Sequence, residues 1–199
     1  MTIRTDTQSL SRVSSLALNL AMTTAGALAL ALLAQARIKL YPDMVPITLQ
    51  VFGIFMLGGL LGPRLGVLAV VEYLILGICG VPVCNGFTSI LGCLLTHNYA
   101  TFGYLLAFLP ATALYGFVFA RFRTRSYSWR LCGGMLAALL TIPVIYLGGW
   151  AWLVNACHVP EMRAFTLGIA PFLVPDLLKA GVAAAGLALW EKGAKECSD

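Results

Sequence analysis

Apolar residues run along this chain in long stretches separated by short polar clusters, and the lengths of those stretches set the first expectation. Six can be marked off, at residues 16–36, 47–62, 65–80, 100–120, 131–154 and about 171–190. A hydrocarbon core about 30 Å thick takes about 20 apolar residues per helix. The pattern therefore predicts an all-α integral membrane protein, a bundle of six transmembrane helices formed by residues 1–199 as a single membrane domain. The second and third stretches are short and divided only by Gly62-Pro63-Arg64. Proline ends one helix and preorganises the next, so this pair reads as a tight helical hairpin. The first stretch runs straight into further spans and reads as a retained helix rather than a cleaved secretory signal. The polar ends before Leu16 and after Trp190 are too short to fold alone.

Two connections break the helical pattern. Residues 37–50 carry Arg37, Lys39, Pro42, Asp43 and Pro46, which predicts an extended, ordered loop. Such a loop could cover a pocket as a lid or serve as a plain solvated connection. Residues 80–99 are apolar yet interrupted by Gly80, Pro82, Asn85, Gly86, Gly92, His97 and Asn98. Irregular backbone at membrane depth must be buried in protein or line a cavity.

Composition sharpens the picture: 60% of residues are hydrophobic and 11% charged, against about 25% charged in soluble domains. Residues 73–120 contain no Asp, Glu, Lys or Arg. Basic residues in short loops stay on the cytoplasmic side. With both termini cytoplasmic, Arg4, Arg12, Arg64, Arg121, Arg123, Arg125, Arg130, Lys192 and Lys195 fall inside, leaving Arg37, Lys39 and Arg163 outside and Lys179 within a span. That asymmetry assigns the chain to the cell membrane as a multi-pass protein with both ends in the cytoplasm. The net charge of +5 is then a matter of topology and lipid contact, and no soluble basic domain is present to hold nucleic acid.

Chemistry concentrates at Asp176 and Lys179, opposite charges three residues apart at the start of the last stretch. An ionisable residue at membrane depth costs about 2.5 to 3.5 kcal/mol on insertion scales and faces a partner, a cavity or a polar ligand. At i and i+3 the two share one helix face, so they can pair with each other or grip one molecule together. Pro175 also suits the first helical position, where the helix dipole favours an acid even with nothing bound. Glu72 is a third intramembrane charge, followed by Tyr73, with no evident partner in the sequence. Ala17, Ala21, Ala25 and Ala29 recur every four residues in the first stretch, giving a nearly flat face for close helix approach, either within the bundle or to a separate subunit. Cysteines 79, 84, 93, 132, 157 and 197 lack Cys-x-x-Cys spacing and read mostly as buried thiols, with one outer-side disulfide left open. His97 and His158 are isolated, so no metal site is expected. Tyr146, Trp150 and Trp152 suit an interfacial belt or a stacking wall for a planar ligand.

Taken in order, the motifs resemble the BioY family of biotin transporters, the substrate-binding S components of energy-coupling-factor systems. The resemblance spans nearly the whole chain. It rests on Ala34-Gln35, Val45-Pro-Ile-Thr-Leu-Gln50, Leu60-Leu-Gly-Pro-Arg-Leu-Gly66, Tyr73-Leu-Ile-Leu-Gly77, Gly80-Val-Pro-Val83, Gly103-Tyr104 and Pro171-Phe-Leu-Val-Pro-Asp-Leu-Leu-Lys179. It implies biotin held near the extracellular face under the loop joining helices 1 and 2, with Asp176, Lys179, Asn85, Tyr104, Gln50 and Thr48 forming the site. It also implies that the alanine ladder docks onto a transmembrane coupling subunit served by separate ATPase subunits, although solitary or oligomeric function is equally compatible with the sequence. Biotin is then cargo, no cofactor is implied, and the protein is not an enzyme. A Walker-type Gly-x-x-x-x-Gly-Lys-Ser/Thr motif is absent from the chain. Where the family usually reads Pro-Thr-Gly-Gly-Tyr, this chain has Ala100-Thr-Phe-Gly-Tyr104, and where it usually has Pro-Val-Phe this has Pro82-Val-Cys84. Phe102 in place of a glycine removes backbone freedom and adds bulk, which predicts a reshaped pocket or a different loop path.

Three rival readings use the same residues. An importer of another small vitamin would share the bundle and the docking face. An intramembrane enzyme would use Glu72, His97 or Asp176 as acid or base, but no nucleophile–base arrangement accompanies them. A purely structural membrane subunit would bind no ligand saturably.

Overall fold

The computed structural model describes the backbone of residues 3–38, 45–96 and 100–196 and the side chains of residues 14–38, 45–96 and 100–190. His97, Asn98, the centre of the 37–50 loop and Cys197 lie outside the described residues. In chain order the elements are α1 (Ile3–Gln35), β1 (Arg37–Ile38), β2 (Ile47–Thr48), α2 (Gln50–Leu60), α3 (Gly62–Ile78), α4 (Ile90–Leu95), α5 (Phe102–Ala120), α6 (Tyr127–Asn155), α7 (Glu161–Gly168), a 3-10 turn (Ala170–Phe172) and α8 (Leu173–Glu196).

The helical reading holds, with corrections to its pieces. Stretches Ser14–Gln35, Phe102–Ala120, Tyr127–Asn155 and Glu161–Trp190 are long and apolar enough to cross a membrane. The hairpin helices are shorter than full spans: α2 has 11 residues and α3 has 17, rising roughly 16 and 25 Å. The first helix begins at Ile3 rather than near Leu16, because no glycine or proline stands between them to end it. The last stretch, about 171–190, becomes a 3-10 turn and α8, preceded by the unforeseen short helix α7, with Pro171 in the first turn of the 3-10 segment. A proline there has no N–H to continue the preceding helix. The irregular 80–99 region contains a short helix, α4, whose N-cap Ser89 accepts the Gly92 N–H at 2.9 Å.

Between α2 and α3 the turn is as tight as expected. Gly62 has φ +77, a backbone conformation that glycine adopts without strain, and Pro63 sits in the first turn of α3. α5 packs along α6 and α6 along α8, while α1 rests on α3 and the short α2 meets α1, α3, α5 and α8. The centre of the bundle is an aromatic stack: Phe55 lies 5.1 Å from Tyr115, and Tyr115 lies 6.1 Å from Phe119. The described ends of the 37–50 loop pair as an antiparallel ribbon, Arg37 opposite Thr48 and Ile38 opposite Ile47. That ribbon fixes Thr48 and the start of α2 at one end of the bundle.

Candidate ligand-binding site

At that end the first turn of α8 carries Asp176, which is fully buried. Its Oδ1 accepts a hydrogen bond from Lys179 Nζ at 2.6 Å, and its Oδ2 accepts one from the Tyr146 hydroxyl at 3.0 Å. The i, i+3 spacing supplies the first contact within one helix, and the packing of α6 on α8 supplies the second. A buried carboxylate is tolerable because both oxygens meet donors, one of them a cation. Lys179 keeps a little exposure, its side chain 10% accessible against 1% for Asp176.

From the opposite wall come Thr48 and Gln50. The Thr48 hydroxyl donates to Gln50 Oε1 at 3.1 Å and accepts the Gln50 backbone N–H at 3.3 Å. Gln50 Nε2 donates to the Tyr73 hydroxyl at 2.9 Å, and Tyr73 donates in turn to the Val83 carbonyl at 3.2 Å. Tyr73 thus ties the start of α2 to the loop that carries Asn85. Gln35 pins the same loop from α1: its Nε2 donates to the Cys84 carbonyl at 3.0 Å and its Oε1 accepts the Phe87 N–H at 2.9 Å. Phe87 is held at φ 56, an uncommon conformation for a bulky side chain. Asn85 is half-buried, and its side-chain amide makes no hydrogen bond among the described residues.

Tyr104 closes a third side. Its hydroxyl donates to the Gly168 carbonyl at 2.8 Å, so it presents a ring to the cavity while its polar end is already engaged. That ring lies 6.4 Å from Phe172, and a Cβ on Gly149 would collide with it. Asp176, Lys179, Asn85, Tyr104, Gln50 and Thr48 all line one cavity, together with Thr101, Tyr146 and apolar residues including Val45, Ile145 and Phe172. As it stands the cavity has about 40 Å³ of free volume, well below the roughly 300–1,000 Å³ of small-molecule pockets, so a bound solute requires its walls to move apart.

Several residues take places that the sequence left open. Phe102 packs on Trp152 with ring centroids 5.1 Å apart and is not part of the cavity wall, so its bulk is absorbed between α5 and α6. Trp150 donates from Nε1 to the Glu161 carbonyl at 3.3 Å. Glu72 meets Thr23 of α1, Oε1 to Oγ1 at 2.7 Å. Ala17, Ala21, Ala25 and Ala29 are all exposed, while Thr23, Ala27, Leu30 and Ala34 form the buried face of α1. Ala25 and Ala29 also line an apolar groove between α1 and α2. Cys79, Cys84, Cys93, Cys132 and Cys157 are free thiols. Burial pushes the Cys84 thiol up to about 11 and also raises that of Cys157. Among the described residues no three His, Cys, Asp or Glu side chains converge on a metal site.

Long apolar helices around a small internal cavity whose polar groups meet at one end define a multi-pass membrane protein with a polar-ended pocket. The chain belongs to the BioY family, whose model matches residues 5–195. It is 39% identical to the probable biotin transporter BioY of Pyrococcus horikoshii, over 86% of this chain and 90% of that protein. It is 33% identical to the biotin transporter BioY of Thermotoga maritima, over 70% of this chain and 77% of that one. The fold matches the crystal structure of the S-component for biotin from an ECF-type ABC transporter with a TM-score of 0.77, at 24% identity, covering 90% of this chain and 93% of that one.

Proposed function

We propose that this protein is the biotin-binding subunit of a biotin-uptake transporter and that it captures its ligand in the Asp176 cavity. The observation that carries the reading is the convergence of all six candidate residues on one cavity in a chain of this family. A carboxylate offers about four lone-pair sites, and Tyr146 and Lys179 use two of them. The sites that remain can accept one ureido N–H of biotin, since the two N–H groups point out of opposite edges of the ring and a single carboxylate reaches only one of them. Lys179 stands 2.6 Å from Asp176, too close for the pair to hold opposite ends of the ligand. The pair therefore grips one edge of the ureido ring, with Asp176 accepting from one N–H and Lys179 donating to the carbonyl beside it. Asn85 adds an amide to the lining, Thr48 and Gln50 close the opposite wall, and the valerate chain lies along Val45, Ile145 and Phe172. The 37–50 loop serves as the lid.

Residues 1–199 act as one membrane domain with six membrane-embedded helical segments, α2 and α3 forming the shorter pair, and with both termini cytoplasmic. The arginine-rich turn between α5 and α6 supports that orientation, which places the cavity toward the outside. The outward-facing alanine ladder docks a coupling subunit that is driven by separate ATPase subunits. No bond of the ligand is made or broken, so the protein transports rather than catalyses.

The test is equilibrium binding of labelled biotin to the purified protein, with unlabelled biotin and an unrelated vitamin as competitors. Saturable binding displaced only by biotin is expected. Displacement by the other vitamin, or no binding by a folded sample, would reject biotin as the ligand.

A further inference from the structure

Arg130 stands in the first turn of α6, roughly 24 Å along the helix from Tyr146 at about 1.5 Å per residue, at the far end of the bundle from the Asp176 cavity. It is only 3% exposed, and its Nε and Nη1 are sealed from solvent with no hydrogen-bond partner among the described residues. A guanidinium cannot shed its proton, and a buried ion without a counter-charge is strongly disfavoured. Its position deepens the conflict, because the positive end of a helix dipole repels a cation and attracts an anion. The N-cap Ser126 makes no side-chain hydrogen bond to the first-turn N–H groups. Arg121 and Arg125 are exposed on the turn leading into α6. One partner answers the uncompensated charge and the uncapped N-terminus together, an anion seated at the start of α6.

We propose that the N-terminal turn of α6 and Arg130 form a binding site for the phosphate group of an anionic membrane phospholipid. Trp129, 61% exposed beside Arg130, is suited to the headgroup level of a bilayer. Leu136, 44% exposed further along α6, offers a wall for the acyl chains. A soluble phosphate would use the same donors but gain nothing from that apolar wall. The site is independent of the biotin reading, so the two succeed or fail separately.

The experiment follows lipid binding by native mass spectrometry and thermal unfolding of the full chain in a neutral detergent. Phosphatidylglycerol, phosphatidylcholine and inorganic phosphate are added in parallel. Phosphatidylglycerol is expected to be retained and to raise Tm, with little response to the other two. Equal responses to phosphatidylcholine overturn the anion site, and an equal response to inorganic phosphate overturns the lipid assignment. Arg130→Gln is expected to weaken phosphatidylglycerol binding roughly tenfold while leaving the lipid-free Tm unchanged or higher. A lower Tm with lipid selectivity intact overturns the proposal. Should that variant fail to fold, Ser126→Asp decides, because its carboxylate supplies the anion in cis. Loss of the phosphatidylglycerol response is then expected, and a retained response overturns the site.

Discussion

Asp176→Asn keeps the shape of the side chain and removes its charge. In the native protein the carboxylate is fully buried between the Tyr146 hydroxyl at 3.0 Å and the Lys179 ammonium at 2.6 Å. The substitution leaves Lys179 without its counter-charge, and breaking a buried pair in this way costs about 3 to 5 kcal/mol. The 10% exposure of Lys179 lets water relieve part of that, so a loss near the lower end, about 3 kcal/mol, is expected in thermal or denaturant unfolding. Binding should suffer separately. A hydrogen bond to a charged group contributes about 1.5 to 3 kcal/mol, which is roughly 10- to 150-fold in Kd. The double variant Asp176→Asn with Lys179→Gln separates the two effects, since it removes both charges. Most of the stability should return while affinity for biotin stays low. Calorimetric titration of both variants, beside the unfolding curves, reads the two quantities independently. Recovery of affinity together with stability would refute the reasoning, because it would show that the pair supports the fold without touching the ligand.

Other perturbations probe other parts of the molecule. Replacing Ala21 or Ala25 with leucine should impair biotin uptake in cells that contain the coupling subunits while leaving binding by the purified protein within about twofold, since both residues are exposed on α1; equal loss of both activities would point to packing instead. Gly149→Val should destabilise by about 1 to 3 kcal/mol and lower affinity, because the new side chain overpacks the Tyr104 ring; unfolding and titration check it together. Tyr146→Phe removes one donor from Asp176 and should cost roughly tenfold in affinity while preserving the fold. In the native protein the Cys84 thiol, raised to about 11 by burial, should resist alkylation at pH 8, whereas exposed Cys79 should react. As a group with a raised pKa, Cys84 supports the fold below its ordinary range near 9 and withdraws that support as pH rises toward 11. Mass-spectrometric mapping of alkylated peptides across that range tests both statements.

What could be read from the sequence was what depends on neighbours along the chain. Asp176 and Lys179 declare themselves by their i, i+3 spacing, and Gly62-Pro63 declares the hairpin because glycine and proline act locally. The partners of the charged and polar groups come from other helices and leave no local trace. Tyr146 is far in sequence from Asp176, and as a residue beside two tryptophans it fits a membrane belt as readily as a binding wall. Tyr73 and Gln35 likewise hold the site by reaching loops whose course the sequence does not set. Thr23 has no feature that marks it as the partner of Glu72. The alanine ladder could be seen but not oriented, since a flat helix face looks the same whether it packs inward or outward. Its exposure beside the buried Thr23, Ala27 and Leu30 resolves the direction. The last stretch starts near Pro171, as its apolar run indicates, whereas α7 ahead of it left no clear trace because Glu161–Gly168 is short and mixes polar with apolar residues.

The claim at the centre of this account is that one small molecule sits between α2, α5, α6 and α8, gripped by Asp176 and Lys179. The most direct test is a structure of the protein solved with biotin bound. The account predicts ureido density within hydrogen-bond reach of Asp176 and Lys179, bounded by Asn85, Tyr104 and Gln50. Biotin ordered elsewhere, such as the apolar groove between α1 and α2, with the Asp176 cavity still closed around its own hydrogen bonds, would contradict it.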